Sequence, residues 1–143
     1  MTWAIDTNVF VYLWSATSAD VALAQASLGR ASARGPLVIA PVVYAELVAA
    51  PGRDPAAVDT FLHDAGIDVD WDLDPAVWRL AALAYRGYSE RRRRDRGSSL
   101  PRRILADFVI GAHAQQMADA LLTFDQRTYR AAFPTLTIIS PER

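Results

Sequence analysis

Four acidic residues stand where the chain could bring carboxylates to a single site: Asp6, Glu46, Asp107 and Asp125. Asp6 ends a short apolar segment that is typical of a buried strand, and Asp125 follows a second such segment, residues 120–124. In a parallel sheet, ligands bind outside the carboxyl ends of the strands. A group of carboxylates without His or Cys selects hard cations. The pattern therefore predicts a site for Mg²⁺, with Mn²⁺ as the alternative.

Asp107 gives the strongest single indication of such a site. It is the only polar residue of the segment 105–112, so we expect a helix that is apolar nearly all round and therefore buried. A buried carboxylate without a partner is strongly unfavourable, so a cation must meet it. An arginine could serve, but four converging acids favour a divalent metal. Glu46 is also surrounded by apolar residues at helical spacing.

Helix capping is the alternative explanation for Asp6 and Asp125. Each precedes a predicted helix, and aspartate is a common N-cap residue. Polar residues flank both positions: Thr7, Asn8 and Thr123. We expect these three side chains to orient the carboxylates or to hold water beside them.

Two other possible metal patterns are weaker. His113 lies six positions after Asp107, about 240° around a helix, so the two side chains do not share a face. We expect His113 to be a packed or hydrogen-bonded core residue instead of a ligand. The alternating aspartates from Asp68 to Asp74 lack the Gly and Glu positions of a calcium loop, and we interpret them as the solvated edge of a strand.

The composition excludes several enzyme classes. Cysteine is absent, and all 15 basic residues are arginine. Disulfides, thiolate metal sites, cysteine nucleophiles and catalytic or phosphate-binding lysines are therefore ruled out. A phosphatase of the haloacid dehalogenase type needs a lysine and a second aspartate where position 8 is Asn, and a response-regulator receiver fails for the same missing lysine.

Strand-like and helix-like segments alternate along the whole chain. Strands are predicted at 3–6, 37–40, 67–73, 120–124 and 136–139, and helices at 7–13, 19–34, 41–50, 55–65, 75–93, 104–117 and 126–131. This order predicts one α/β domain, residues 1–143, with a parallel sheet of four to five strands and helices on both faces. No apolar run reaches the roughly 18 residues of a membrane span, and no secretory signal pattern is present, so we expect a soluble, cytoplasmic protein.

An arginine-rich segment precedes the predicted Asp107 helix. Residues 91–103 carry seven arginines and one aspartate, a net charge of +6 that leaves −7 on the rest of a chain whose total is −1. We expect a loop here, and a basic rim beside an acidic centre is suited to a nucleic-acid backbone. The candidate phosphate contacts are Arg91, Arg92, Arg93, Arg94, Arg102 and Arg103.

Four motifs together resemble a known family. They are Ile5-Asp6-Thr7-Asn8, the segment 41–47 (Pro-Val-Val-Tyr-Ala-Glu-Leu), the segment 106–114 (Ala-Asp-Phe-Val-Ile-Gly-Ala-His-Ala) and Leu122-Thr123-Phe124-Asp125. In this order and spacing the chain resembles the PIN-domain ribonucleases, especially the VapC-like toxins of toxin–antitoxin systems. The resemblance extends over essentially the whole chain. The long arginine-rich segment before the third motif departs from it.

The resemblance implies an activity, partners and roles for the acids. It implies a Mg²⁺- or Mn²⁺-dependent endonuclease acting on single-stranded or loop RNA, a cognate antitoxin and a homodimer. The acidic quartet of the family falls on Asp6, Glu46, Asp107 and Asp125. We expect Asp6 and Asp107 to bind the principal metal, which activates a water for attack on the phosphate. A housekeeping RNA-processing nuclease or a non-catalytic RNA-binding domain are the alternatives.

Overall fold

Short, mostly apolar segments of the chain pair into a parallel sheet. The computed structural model describes residues 1–95 and 104–141. In these ranges the strands are β1 (Trp3–Ile5), β2 (Leu37–Ile39), β3 (Ile67–Val69), β4 (Ala120–Leu122) and β5 (Ile138–Ile139). Every residue of β1, β2 and β4 is buried, as both faces of a helix-covered parallel sheet require.

Helices connect the strands and cover the sheet. In the same two ranges they are α1 (Thr7–Leu13), α2 (Ser18–Arg34), α3 (Pro41–Ala49), α4 (Pro55–Ala65), α5 (Pro75–Arg94), α6 (Leu105–Met117) and α7 (Gln126–Ala132). Local signals set several boundaries. Proline opens α3, α4 and α5, where a missing N–H is harmless. Asp54 and Asp74 cap α4 and α5 by accepting backbone N–H groups at 2.8 Å.

The strand order creates a crevice in the middle of the sheet. The order is β3-β2-β1-β4-β5, so the chain builds outward from β1 on one side and then crosses to build β4 and β5 on the other. β1 and β4 are neighbours in the sheet, but the chain leaves β1 toward β2 and leaves β4 toward β5. At the carboxyl ends of β1 and β4 the two connections therefore run in opposite directions. Such a reversal point is where open parallel sheets bind ligands.

Helix α6 is held tightly in the core beside this crevice. Seven successive residues of α6, 108–114, are buried. Gly111 allows a close approach to α7, because a Cβ at this position would lie 2.2 Å from the ring of Phe133. A larger side chain would push α6 away from α7. This contact thus fixes the distance between α6, which carries Asp107, and α7, which begins directly after Asp125.

The predicted α/β class and the five-stranded parallel sheet with flanking helices are confirmed. The strands are shorter than predicted, because residues such as 70–73 and 123–124 leave the sheet and form the connections at its carboxyl edge. The helix predicted over 75–93 is confirmed as α5, so Arg91–Arg94, which were also expected to begin the arginine-rich loop, form its last turn instead. Arg102 and Arg103 lie outside the described residues. In the described part of the chain, no helix is long and apolar enough to cross a membrane.

Candidate active site

A cavity of about 290 Å³ opens at the carboxyl end of β1 and β4, where the sheet order predicts a ligand site. All four predicted acids line it, together with two of the predicted polar partners. The lining residues are Asp6, Thr7, Asn8, Val11, Glu46, Asp107, Asp125 and Tyr129. Residues from four separate parts of the chain thus meet in one small, acidic space.

Asp6 is the most deeply buried of the four acids. Its side chain follows β1 directly and is only 5% exposed, whereas Glu46, Asp107 and Asp125 are half-buried. Asp107, which we expected to be buried, is therefore only half-buried. Asp107 lies in the first turn of α6, which ends at the cavity, and the apolar residues after it form the buried part of the helix.

A hydroxyl-centred network fixes the orientation of the Asp6 carboxylate. Thr123 Oγ1 accepts hydrogen bonds from Asn8 Nδ2 at 3.2 Å and from the backbone N–H of Asp125 at 3.0 Å. A hydroxyl has two acceptor positions and one proton, so the Thr123 proton is directed to Asp6 Oδ2, 2.8 Å away. Asn8 is held in turn by the backbone N–H of Phe124, which donates to its Oδ1 at 3.2 Å.

Glu46 has a donor of its own. It lies on α3, and Thr7 Oγ1 at the start of α1 donates to Glu46 Oε1 at 2.8 Å. This bond ties the helix after β1 to the helix after β2 at the edge of the cavity. Each of Thr7, Asn8 and Thr123 therefore donates to a carboxylate or to the donor of one.

Asp107 and Asp125 also make local backbone contacts. Asp107 Oδ2 accepts from the backbone N–H of Ile104 at 3.3 Å. Asp125 caps α7, since its side chain accepts from both the backbone N–H and the hydroxyl of Thr128. Capping and cavity lining thus coexist at Asp125. Asp6 precedes α1 but makes no capping hydrogen bond, so capping does not account for it.

The surroundings of Asp6 disfavour its charge. Burial raises the pKa of the Asp6 carboxyl from 3.8 to about 6, and the nearby charge of Asp107 acts in the same direction. The hydrogen bond from the Thr123 hydroxyl and the proximity of the Tyr129 hydroxyl oppose this rise. A positive charge placed in the cavity would favour the ionised form of Asp6, so the site is electrostatically suited to a cation.

Tyr129 is a cavity residue that the sequence pattern did not single out. It lies one turn into α7, is 2% exposed and lines the cavity with its phenol end among the acids. Burial, together with the charges of Asp6, Asp107 and Asp125, raises the pKa of Tyr129 well above the ordinary value, so the phenol keeps its proton. Tyr129 is a lone tyrosine in a short, mostly polar helix, one turn beyond Asp125, and no sequence signal distinguishes it.

Comparison with known families gives a match that covers most of the chain. A model of the PIN domain matches residues 4–134. The chain belongs to the PIN domain family. The resemblance inferred from the four sequence motifs is thereby confirmed. PIN domains are nucleases, and they generally use divalent metal ions. Comparison with curated proteins gives no match.

Solved structures share the whole PIN fold at low sequence identity. One similar structure is VapBC2 from Rickettsia felis bound to a DNA fragment from the VapBC2 promoter. It gives a TM-score of 0.68 at 17% identity, and the match covers 99% of this chain and 100% of that chain. VapBC-1 from nontypeable Haemophilus influenzae gives 0.63 at 16% identity, over 98% of both chains. FitAcB from Neisseria gonorrhoeae gives 0.55 at 19% identity, over 96% of both.

The donor set of this PIN domain fits a hard divalent cation. The cavity supplies only oxygen donors, and its most buried carboxylate is one whose charge is disfavoured without a cation. Among the described residues, no three His, Cys, Asp or Glu side chains stand close enough together to hold a metal by themselves. Mg²⁺ does not require such a cage, because it keeps several waters and is commonly bound through one or two carboxylates.

Other predicted residues of the PIN domain lie away from the cavity. Arg91–Arg94 are exposed at the end of α5 and do not line it. His113 is 1% exposed in the core, as expected, and its Nε2 is 2.7 Å from Asp70 Oδ2. Asp70 is therefore not part of a purely solvated strand edge: it is half-buried and joins the end of β3 to α6.

Proposed function

We propose that this PIN domain is a metal-dependent endoribonuclease that cleaves single-stranded or loop RNA, and that it is the VapC-like toxin of a toxin–antitoxin pair. The observation that carries the proposal is the cavity at the sheet crevice, where four carboxylates meet and Asp6 is buried with its charge disfavoured. Membership of a nuclease family supplies the reaction class. The choice of RNA as substrate is part of the proposal.

Asp6 and Asp107 are the residues that would hold the principal cation, Mg²⁺ or Mn²⁺. When bound, the cation supplies positive charge for the scissile phosphate and lowers the pKa of a coordinated water. Glu46 and Asp125 would accept hydrogen bonds from waters beside it or hold a second ion. Thr7 and Thr123 keep two of these carboxylates in fixed orientations before any ligand arrives.

Water is the attacking group in this proposal, and the RNA 2′-hydroxyl has no part in it. The products are therefore expected to carry a 5′-phosphate and a 3′-hydroxyl. Arg91–Arg94, exposed on the last turn of α5, are proposed to bind phosphates of the RNA backbone at a distance from the reacting bond.

The proposed partners follow from the kind of proteins that share the fold. The structural neighbours include VapBC proteins, which supports a cognate antitoxin as a binding partner. A homodimer is proposed on the same resemblance. An antitoxin encoded by a small adjacent reading frame would distinguish a toxin from a housekeeping RNA-processing nuclease, because both would perform the same cleavage.

The deciding experiment is to incubate the purified protein with RNA, with and without a chelator, and to sequence the ends of the fragments. We expect cleavage that the chelator abolishes and added Mg²⁺ or Mn²⁺ restores, with 5′-phosphate ends. Asp107→Asn is the inactive variant, and Asp64→Asn, an exposed aspartate of α4, is the matched control. Cleavage that persists in chelator, or ends bearing a cyclic phosphate, would contradict the proposed mechanism.

A further inference from the structure

The Tyr129 hydroxyl is a buried donor without a hydrogen-bond partner. Its oxygen is inaccessible to solvent and makes no well-formed hydrogen bond, although the side chain lines the cavity and is only 2% exposed. Leaving a buried hydroxyl unpaired costs about 1–3 kcal/mol. A phenylalanine at position 129 would fill nearly the same space without that cost, so packing does not explain the hydroxyl.

The surroundings of the phenol are rich in acceptors. Tyr129 and three acids, Asp6, Asp107 and Asp125, line the same cavity, and the charges of these acids raise the pKa of the phenol. Thr123, directly after β4, already donates to Oδ2 of Asp6. Tyr129 belongs to α7, a different element, so hydroxyls from two parts of the fold are available to this carboxylate.

We propose that Tyr129 is a positioning residue of the acidic site: its hydroxyl completes a hydrogen bond to Asp6 when the cavity takes up its cation, and with Thr123 it holds that carboxylate in the binding orientation. The inference depends on the proposed function. It accounts for a buried donor that makes no well-formed hydrogen bond and lines the same cavity as the carboxylate whose charge is most disfavoured.

Tyr129→Phe removes the hydroxyl and nothing else. Hydrogen-bond partners of metal ligands typically contribute 10–100-fold, so we expect Mn²⁺ affinity, measured by calorimetry without RNA, to fall about tenfold. We expect kcat for RNA cleavage at a fixed, subsaturating Mn²⁺ concentration to fall about as much, with KM for RNA nearly unchanged. The melting temperature of the metal-free variant should equal or exceed that of the wild type, since an unpaired buried group is lost.

Tyr44→Phe is the matched control. It also removes a phenol that donates to an aspartate, Asp59, at 2.8 Å, but on the exposed surface of α3 and α4 and away from the cavity. We expect it to leave Mn²⁺ affinity and kcat as they are.

The outcomes separate this inference from the proposed function. Unchanged Mn²⁺ affinity in Tyr129→Phe would overturn the positioning role, whatever happens to cleavage. An equal loss in Tyr44→Phe would do the same. If the wild type neither binds Mn²⁺ nor cleaves RNA, the proposed function fails first, and the positioning role fails with it.

Discussion

Replacing Asp6 by asparagine is expected to stabilise the metal-free protein at neutral and alkaline pH. The carboxyl is 5% exposed, and its pKa of about 6 exceeds the ordinary 3.8. The folded state therefore binds this proton more tightly than the unfolded state does. The protonated Asp6 carboxyl therefore contributes its full stabilisation below the ordinary pKa of 3.8, and this contribution is lost as the pH rises through about 6.

The size of the effect follows from the two pKa values. At 1.36 kcal/mol per pKa unit, ionising Asp6 costs the fold about 3 kcal/mol above pH 6. Asparagine avoids this cost, and its Oδ1 can still accept from Thr123. The pKa of Asp6 already includes the hydrogen bond to its charged form, so nothing further is subtracted and the net gain of Asp6→Asn above pH 6 is about 3 kcal/mol. For a chain of this length that corresponds to a rise in Tm of about 9 °C.

Urea unfolding in chelator, over a series of pH values, measures this gain. We expect the two proteins to be about equally stable near pH 4 and to diverge as pH rises, with the full difference by about pH 8. Asp64→Asn, on the exposed surface of α4, should change stability by less than about 0.5 kcal/mol. A variant that is less stable than the wild type at alkaline pH, or a difference that does not vary with pH, would refute the reasoning.

Three further predictions concern activity. Asp107→Asn should abolish RNA cleavage while the circular dichroism spectrum stays that of the wild type, because the amide keeps the shape and removes the charge; full activity would exclude Asp107 from the mechanism. Thr7→Val should leave Glu46 without its 2.8 Å donor and reduce kcat about tenfold, as measured by initial cleavage rates. Replacing Arg91–Arg94 by glutamine should weaken RNA binding and reduce the slope of log affinity against log salt concentration; an unchanged slope would assign these arginines to solvent.

Much of the fold was predictable because the signals for it are local. Proline and a capping aspartate mark the starts of α4 and α5, and these positions need no knowledge of the rest of the molecule. Strand ends were less predictable. Phe124 continues the apolar run of β4, but it stacks on Tyr12 of α1 at 4.2 Å and has already left the sheet. An apolar sequence predicts that its residues are buried, but a buried residue need not pair with a neighbouring strand.

The acids of the site were predictable for a different reason: a parallel sheet brings the residues after its strands to one edge. Their relative burial was not. An apolar helix suggests that Asp107 is enclosed, but only tertiary packing determines that its first turn faces the cavity. The direction of the Thr123 proton and the unpaired Tyr129 hydroxyl depend on contacts between residues more than 100 positions apart or between separate elements.

Two energetically unfavourable features of this structure lie in the same cavity, and their coincidence is an argument for function. An ionised Asp6 and an unpaired Tyr129 hydroxyl each reduce the stability of the ligand-free protein, and both line the same cavity. Conservative replacements at either position would relieve the cost without disturbing the core. Such local conflicts are expected where binding a ligand offsets them. If Asp6 and Asp107 hold a cation as proposed, its charge would favour the ionised form of Asp6 and its binding would stabilise the folded protein.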